Sequence, residues 1–214
     1  MLVSMIRFMA RAILLSMAGI VDGQNSIGRG DLRSQVQRDA EHGTELSPRS
    51  SVGSSTVLSV RDREALLKAI EVKLRSGNAD LDNSSQKELE NSARAARVRL
   101  VDLNGDRVPE VIVQSMRAET CGAVGNCEFW VFKKTPAGYV SILDAGSQRF
   151  SVEESRSNGY LDLTLALHDS ATQQQLNIYR FQRGRYRQMG CYEADWRPEI
   201  NGPVLKHPTT TKCK

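Results

Sequence analysis

The chain has 214 residues, 40% hydrophobic, 25% charged and 6% aromatic, with a formal net charge of +4. These figures fit one ordinary globular domain with tails and exclude a collagen, a coiled-coil rod and a polytopic membrane protein. Aromatics are unevenly placed: after Phe8, residues 9–128 contain none and eleven lie between Phe129 and Trp196. A core of large side chains therefore belongs to the C-terminal half.

Residues 1–18 carry Arg7 and Arg11, an apolar run from Ala12 to Met17, and the small-residue pattern Ser16-Met17-Ala18. That order of charge, apolar stretch and small residues is the pattern of a secretory signal peptide, with the cut expected after Ala18. The apolar stretch is too short to cross about 30 Å of hydrocarbon, so no membrane span is expected after cleavage. No cysteine precedes Cys121, which excludes a lipid-anchored cysteine at the new N-terminus. After cleavage 27 basic side chains face 25 acidic ones, a net +2, which gives no basis for nucleic-acid binding. The expected location is secreted or periplasmic.

Residues 19–58 hold six glycines and seven serines but no aromatic, and are expected to form a disordered linker. A helical segment is expected over 59–97. Ser59 and Asp62 make an approximate capping box, Leu66, Ile70 and Leu74 recur at four-residue spacing, and Gly77 closes the pattern. A second helix is expected from about Gln86, with Ser85 and Glu88 as its box and Leu89, Ala93 and Ala96 on one face. Both apolar faces are narrow, so the helices are expected to lean on the sheet that follows.

From Val98 the apolar period becomes two, and eight strands are predicted over 98–196, joined around Asn104-Gly105, Thr135–Gly138, Asn158-Gly159 and Arg183-Gly184. Asn-Gly between alternating apolar residues signals a hairpin, because both residues tolerate positive φ. The fold class expected is α+β: two short helices, then an antiparallel meander arranged as two repeats. The repeats lie 54 residues apart at the Asn-Gly turns and 47 apart at Tyr139 and Tyr186. The shorter offset fits an extra loop at 121–127 in the first copy.

Cys121, Cys127, Cys191 and Cys213 are an even set in a chain read as exported, so disulfides are expected. Three pairings are possible. The nearest-neighbour one, Cys121–Cys127 and Cys191–Cys213, is preferred because Gly-Ala-Val-Gly-Asn can close a tight loop. The second pair would tie down a C-terminal tail over 197–214. No CxxC pair is present and His42, His168 and His207 are scattered, which argues against a zinc site.

Asp102-Leu-Asn104-Gly-Asp106-Arg-Val-Pro-Glu110 followed by Val111-Ile112-Val113 resembles the calcium loop and strand of FG-GAP or VCBS-type repeats in extracellular β-propellers. The resemblance covers about 98–190 and implies propeller-blade-like repeats. It also implies Ca²⁺ as cofactor, bound by the side chains of Asp102, Asn104, Asp106 and Glu110 and the carbonyl of Val108. Such a hard cation takes six to eight oxygens at short range. Arg107 stands where that family usually has glycine, and the second copy keeps only Asn158 and Asp162, so it is not a metal loop. Two units are also too few to close a propeller of four to eight blades. The Cys-Gly-Ala-x-Gly-Asn-Cys run is similar to one in exported bacterial proteins, from which no activity carries over.

Catalytic signatures are sparse. His168-Asp169-Ser170 cannot be a preassembled relay, because neighbours on a strand point to opposite faces. Neither GxSxG nor HExxH occurs, and Gly28-Arg29-Gly30 lies in the linker. Phe129, Trp130 and Phe132 fall on both faces of one strand, with burial of both faces the favoured reading. The functional expectation is an exported, non-catalytic binding or structural module of the cell envelope. Its expected partner is a protein or glycan of that envelope. The alternative is a secreted hydrolase using the Asp102, Asp106 and Glu110 carboxylates around a metal.

Overall fold

The computed structural model describes residue 39 and residues 51–77, 86–116, 120–197 and 204–213. The signal-peptide reading of 1–18, the Gly28–Gly30 run, His42 and Ser85 lie outside them. Two helices and nine antiparallel strands are described: α1 (Val60–Gly77), α2 (Gln86–Ala95), β1 (Arg97–Val101), β2 (Glu110–Gln114), β3 (Cys127–Thr135), β4 (Gly138–Ser147), β5 (Arg149–Ser157), β6 (Tyr160–Ser170), β7 (Gln173–Gln182), β8 (Arg185–Asp195) and β9 (Thr209–Lys212). Strands β1–β4 form one sheet and β5–β9 a second, each in sequence order, and neither closes into a barrel.

Local chemistry sets the helix ends. The Ser59 hydroxyl donates to Asp62 Oδ2 (2.9 Å) and accepts the Asp62 N–H (3.1 Å), satisfying donors that the first helical turn leaves open. Leu66, Ile70 and Leu74 of α1 and Leu89, Ala93 and Ala96 at α2 are buried together against Val98, Val111, Val113, Trp130 and Phe132. The helices thus cover one face of the first sheet. The other face, with Ile112, Phe129, Val131 and Leu143, packs on Phe150, Leu163, Leu165, Tyr179 and Tyr186 of the second sheet. Strict alternation produces this sorting: Trp130 and Phe132 point to the helices, Phe129 and Val131 to the opposite sheet. Both faces of β3 are buried.

Two hairpins turn as expected. Asn158 and Gly159 have φ +48° and +86°, and Arg183 and Gly184 have +50° and +82°, the all-positive pair that suits the strand twist. The third differs. Val101 pairs with Glu110, so Asn104-Gly105 belongs to a loop over 102–109 and not to a two-residue turn.

Two features depart from the linear reading. Within the span expected as linker, Val52 is fully buried among the helical residues. Its N–H donates to Ala96 O and that of Gly53 to Arg94 O (both 2.9 Å), while Asp39 is buried. The span expected as a tail contributes a ninth strand: Thr209–Lys212 pairs with Tyr192–Asp195 at the sheet edge. The four cysteines stand as two pairs at disulfide distance, Cys121 with Cys127 and Cys191 with Cys213, with no free cysteine among the described residues. Such pairs suit an oxidising, extracellular-type compartment. Among the described residues no helix is long and apolar enough to cross a membrane.

Candidate functional site

The Asp102–Glu110 loop sits where the two sheets meet. Asp102 Oδ1 accepts the Gly105 N–H (2.7 Å) and Oδ2 that of Arg107 (3.0 Å). Asn104 Oδ1 accepts the Asp106 N–H (2.9 Å), and Asp106 Oδ1 accepts that of Val108 (2.7 Å). These short polar side chains fold the loop by satisfying its own amides. Gly105 has φ +79°, and Arg107 takes φ +67° without the freedom of glycine.

That strain yields a prediction. Left-handed φ costs a non-glycine residue about 1–2 kcal/mol, and glycine's extra unfolded-state entropy returns about half of it. Arg107→Gly is therefore expected to raise stability by about 0.5–1 kcal/mol in urea unfolding; a loss would show that the arginine side chain contributes more than its backbone strain costs.

Glu110 opens β2 and is buried. Its Oε2 accepts the Leu103 N–H (3.0 Å), and burial is the main influence holding its carboxyl above the usual range. Asp106, fully exposed, is held below that range by the Val108 N–H and the Asn104 amide. The Asn104 amide nitrogen is the hub, donating to Asp106 Oδ2 (2.8 Å), Glu110 Oε1 (3.4 Å) and the Tyr160 hydroxyl (3.2 Å).

Tyr160 brings the second sheet to the loop. Its hydroxyl also receives Lys133 Nζ (2.7 Å), and its ring stacks on Phe181 at 3.8 Å and meets Tyr186 edge-on at 6.2 Å. The Leu161 N–H donates to Leu103 O (2.8 Å), and Arg156 Nη1 donates to the same carbonyl (3.3 Å). The loop is therefore a clasp between the sheets, faced by the cations of Lys133 and Arg156.

The structure gathers Asn104, Asp106 and Glu110 of the proposed ligand set around one point. It turns both Asp102 oxygens to backbone amides and leaves Val108, whose carbonyl was the expected ligand, 47% exposed as a residue. Among the described residues, no three His, Cys, Asp or Glu side chains are grouped so as to hold a metal ion.

The chain matches no protein-family model, no curated protein and no solved structure. The site must therefore be read from its own chemistry. Linear reading did not find Lys133, Arg156 and Tyr160. Tyr160 directly follows the second Asn-Gly turn, but nothing local to it signals a partner 56 residues upstream. His168, Asp169 and Ser170 are the last three residues of β6, and the turn into β7 follows at Ala171-Thr172.

Proposed function

We propose that this protein is an exported, non-catalytic binding or structural module of the cell envelope, in which each four-strand meander is a blade-like repeat and the Asp102–Glu110 clasp takes one Ca²⁺. What carries the non-catalytic reading is the use made of the three carboxylates. Asp102 holds two backbone N–H groups, Asp106 one backbone N–H and the Asn104 amide, and Glu110 the Leu103 N–H and the same amide. Carboxylates engaged in this way fix a loop and a sheet junction. The paired cysteines support the compartment.

The calcium reading rests on the oxygens of Asp106, Glu110 and Tyr160 that converge on the Asn104 amide nitrogen. A cation at that point would replace the hydrogen bonds the amide now donates. With the amide reversed, the Asn104 oxygen would join an all-oxygen set of the kind a hard cation takes, with the Val108 carbonyl and Asp102 completing the loop ligands that the family resemblance implies. Lys133 beside Tyr160 already supplies one positive charge and competes with the ion.

Calorimetry with Ca²⁺ and thermal melts with Ca²⁺ or chelator test this. At Ca²⁺ about a hundredfold above Kd, binding adds about 2.7 kcal/mol, about 5–10 °C for a chain of this size. Asp106→Ala should lose that gain and match the wild type in chelator. No heat at millimolar Ca²⁺ with intact folding would end the calcium reading.

A further inference from the structure

We infer that the cavity beside the β6–β7 turn, walled by Gln148, Arg149, His168, Gln173, Gln174 and Trp196, is a saccharide site that takes a pyranose unit of a glycan, with acidic sugars preferred. This rests on the binding-module reading and names the site and the ligand class for it.

The cavity has a volume of about 390 Å³, within the range of small-ligand sites. Its composition selects among ligands. Among the described residues no Asp or Glu lines it, while Arg149 does, so the described wall favours an anionic over a cationic ligand. Among the described residues its apolar lining is Trp196, an alanine and a valine, too little for a lipid tail. Among the described lining residues Arg149 is the one permanent cation, which balances the single charge of a carboxylate better than the nearly double charge of a phosphate monoester. What remains is an aromatic ring, three glutamine amides, one guanidinium and an imidazole. Amides both donate and accept, as a sugar hydroxyl does. An indole offers a flat apolar platform with a polar edge, which suits the C–H face of a pyranose.

Gln174 sharpens the case. It is only 6% exposed, and its amide nitrogen stands 2.6 Å from His168 Nε2. Its carbonyl oxygen is buried with no hydrogen-bond partner. Reversing the amide would give the oxygen to His168 and leave the nitrogen unmatched, so in either orientation one end awaits a partner. Buried polar groups in native proteins are nearly always matched; the Gln174 oxygen is screened from solvent, so the amide must turn toward the cavity for a ligand to complete its bonding.

The walls are also held in place before any ligand arrives. The Trp196 N–H donates to Thr172 O (2.9 Å), which fixes the tryptophan beside the turn, and its ring packs at the edge of the Ala166, Leu176, Ile178 and Ala194 cluster. His168 is gripped across the sheet junction: Asn126 Nδ2 donates to His168 O (2.8 Å) and the His168 N–H donates to Asn126 Oδ1 (2.8 Å). Asn126 lies in the loop closed by Cys121 and Cys127. The cysteine loop of the first sheet thereby positions a wall of a cavity in the second. Such preorganisation lowers the ordering cost of binding.

Tryptophan emission and calorimetry on the folded chain provide the test, with tetra-N-acetylglucosamine as neutral probe, tri-galacturonic acid as acidic probe and glycerol as control. Trp130 is buried beneath the helices, so a change in emission reports on Trp196. Saturable binding with Kd below about 1 mM is expected for at least one sugar, at least about threefold tighter for the acidic one, and none for glycerol. Trp196→Ala and Gln174→Leu should each weaken it by at least about tenfold, and Val140→Ala, 53% exposed on the first sheet, should leave it unchanged. Should Trp196→Ala fail to fold, Gln148→Ala at the rim is read in its place, with a loss of at least about threefold expected. No saturable signal from folded protein at about 10 mM sugar, or binding indifferent to the cavity variants, overturns the site. A chain that binds Ca²⁺ but no sugar would overturn this inference alone and leave the clasp reading intact.

Discussion

Asp39→Asn is expected to raise the stability of the protein above pH 8 by up to about 4 kcal/mol while leaving it nearly unchanged near pH 4. Asp39 is buried beside Glu153, Ser151 and Thr164, on the face of the second sheet turned away from the first. Burial, and next to it repulsion from Glu153, push its carboxyl from the ordinary 3.8 up to about 7, while contacts with Ser151 and Thr164 pull the other way. The folded state therefore holds a proton that the unfolded chain releases. Its contribution is fully present below about pH 4, falls as the pH rises toward 7, and is gone above that. Asparagine keeps the shape and removes the charge. Urea unfolding of both proteins from pH 4 to 9 isolates the effect in their difference, since other titrating groups cancel. A difference that stays flat across that range would show that Asp39 carries its charge in the fold at no cost. The side chains facing Asp39 include one further titratable group, Glu153, so Glu153→Gln should reproduce part of the gain.

Phe129→Ala should cost about 3–5 kcal/mol, the range for removing a fully buried aromatic ring. Phe129 is 1% exposed and meets Phe150 at 5.4 Å, ring centre to ring centre, across the interface of the sheets. Because the core is shared by both sheets, the loss should lower a single unfolding transition. Two resolved transitions in calorimetry would show that the sheets unfold separately. Val140→Ala, on the exposed side of β4, should change stability by no more than about 0.5 kcal/mol in the same assay.

Burial chemistry also implies that the clasp and the Asp39 contact should respond to pH in the same direction. Glu110 and Asp39 are both carboxyls raised mainly by burial, so each favours the folded state more at lower pH. Asp106 works in the opposite sense. Its carboxyl is lowered by the Val108 N–H and the Asn104 amide, so its contribution is present above the ordinary carboxylate range and lost in acid. Full exposure keeps that contribution small.

Where a residue's fate depends on its neighbours in the chain, the sequence alone determined it. The Ser59–Asp62 cap, the buried stripe Leu66, Ile70 and Leu74, the turns at Asn158-Gly159 and Arg183-Gly184, and the alternation along β3 all follow from backbone φ preferences and from periods of 3.6 and 2. Those signals act over four residues or fewer, so they can be read in one dimension. Tertiary structure decided what depends on partners far along the chain. It set which face of β3 meets the helices and which the second sheet. It paired Thr209–Lys212 with β8 and buried Val52 against the helices. It also joined Asn104 to Tyr160 and Asn126 to His168, contacts spanning 56 and 42 residues. Tyrosine, asparagine and histidine are as common on a solvated surface as in such junctions, and their local sequence carries no mark of the difference. The loop over 102–109 shows the boundary within one segment. Its polar residues fixed its self-bonded form, while its role as a clasp came only when the second sheet folded onto Leu103.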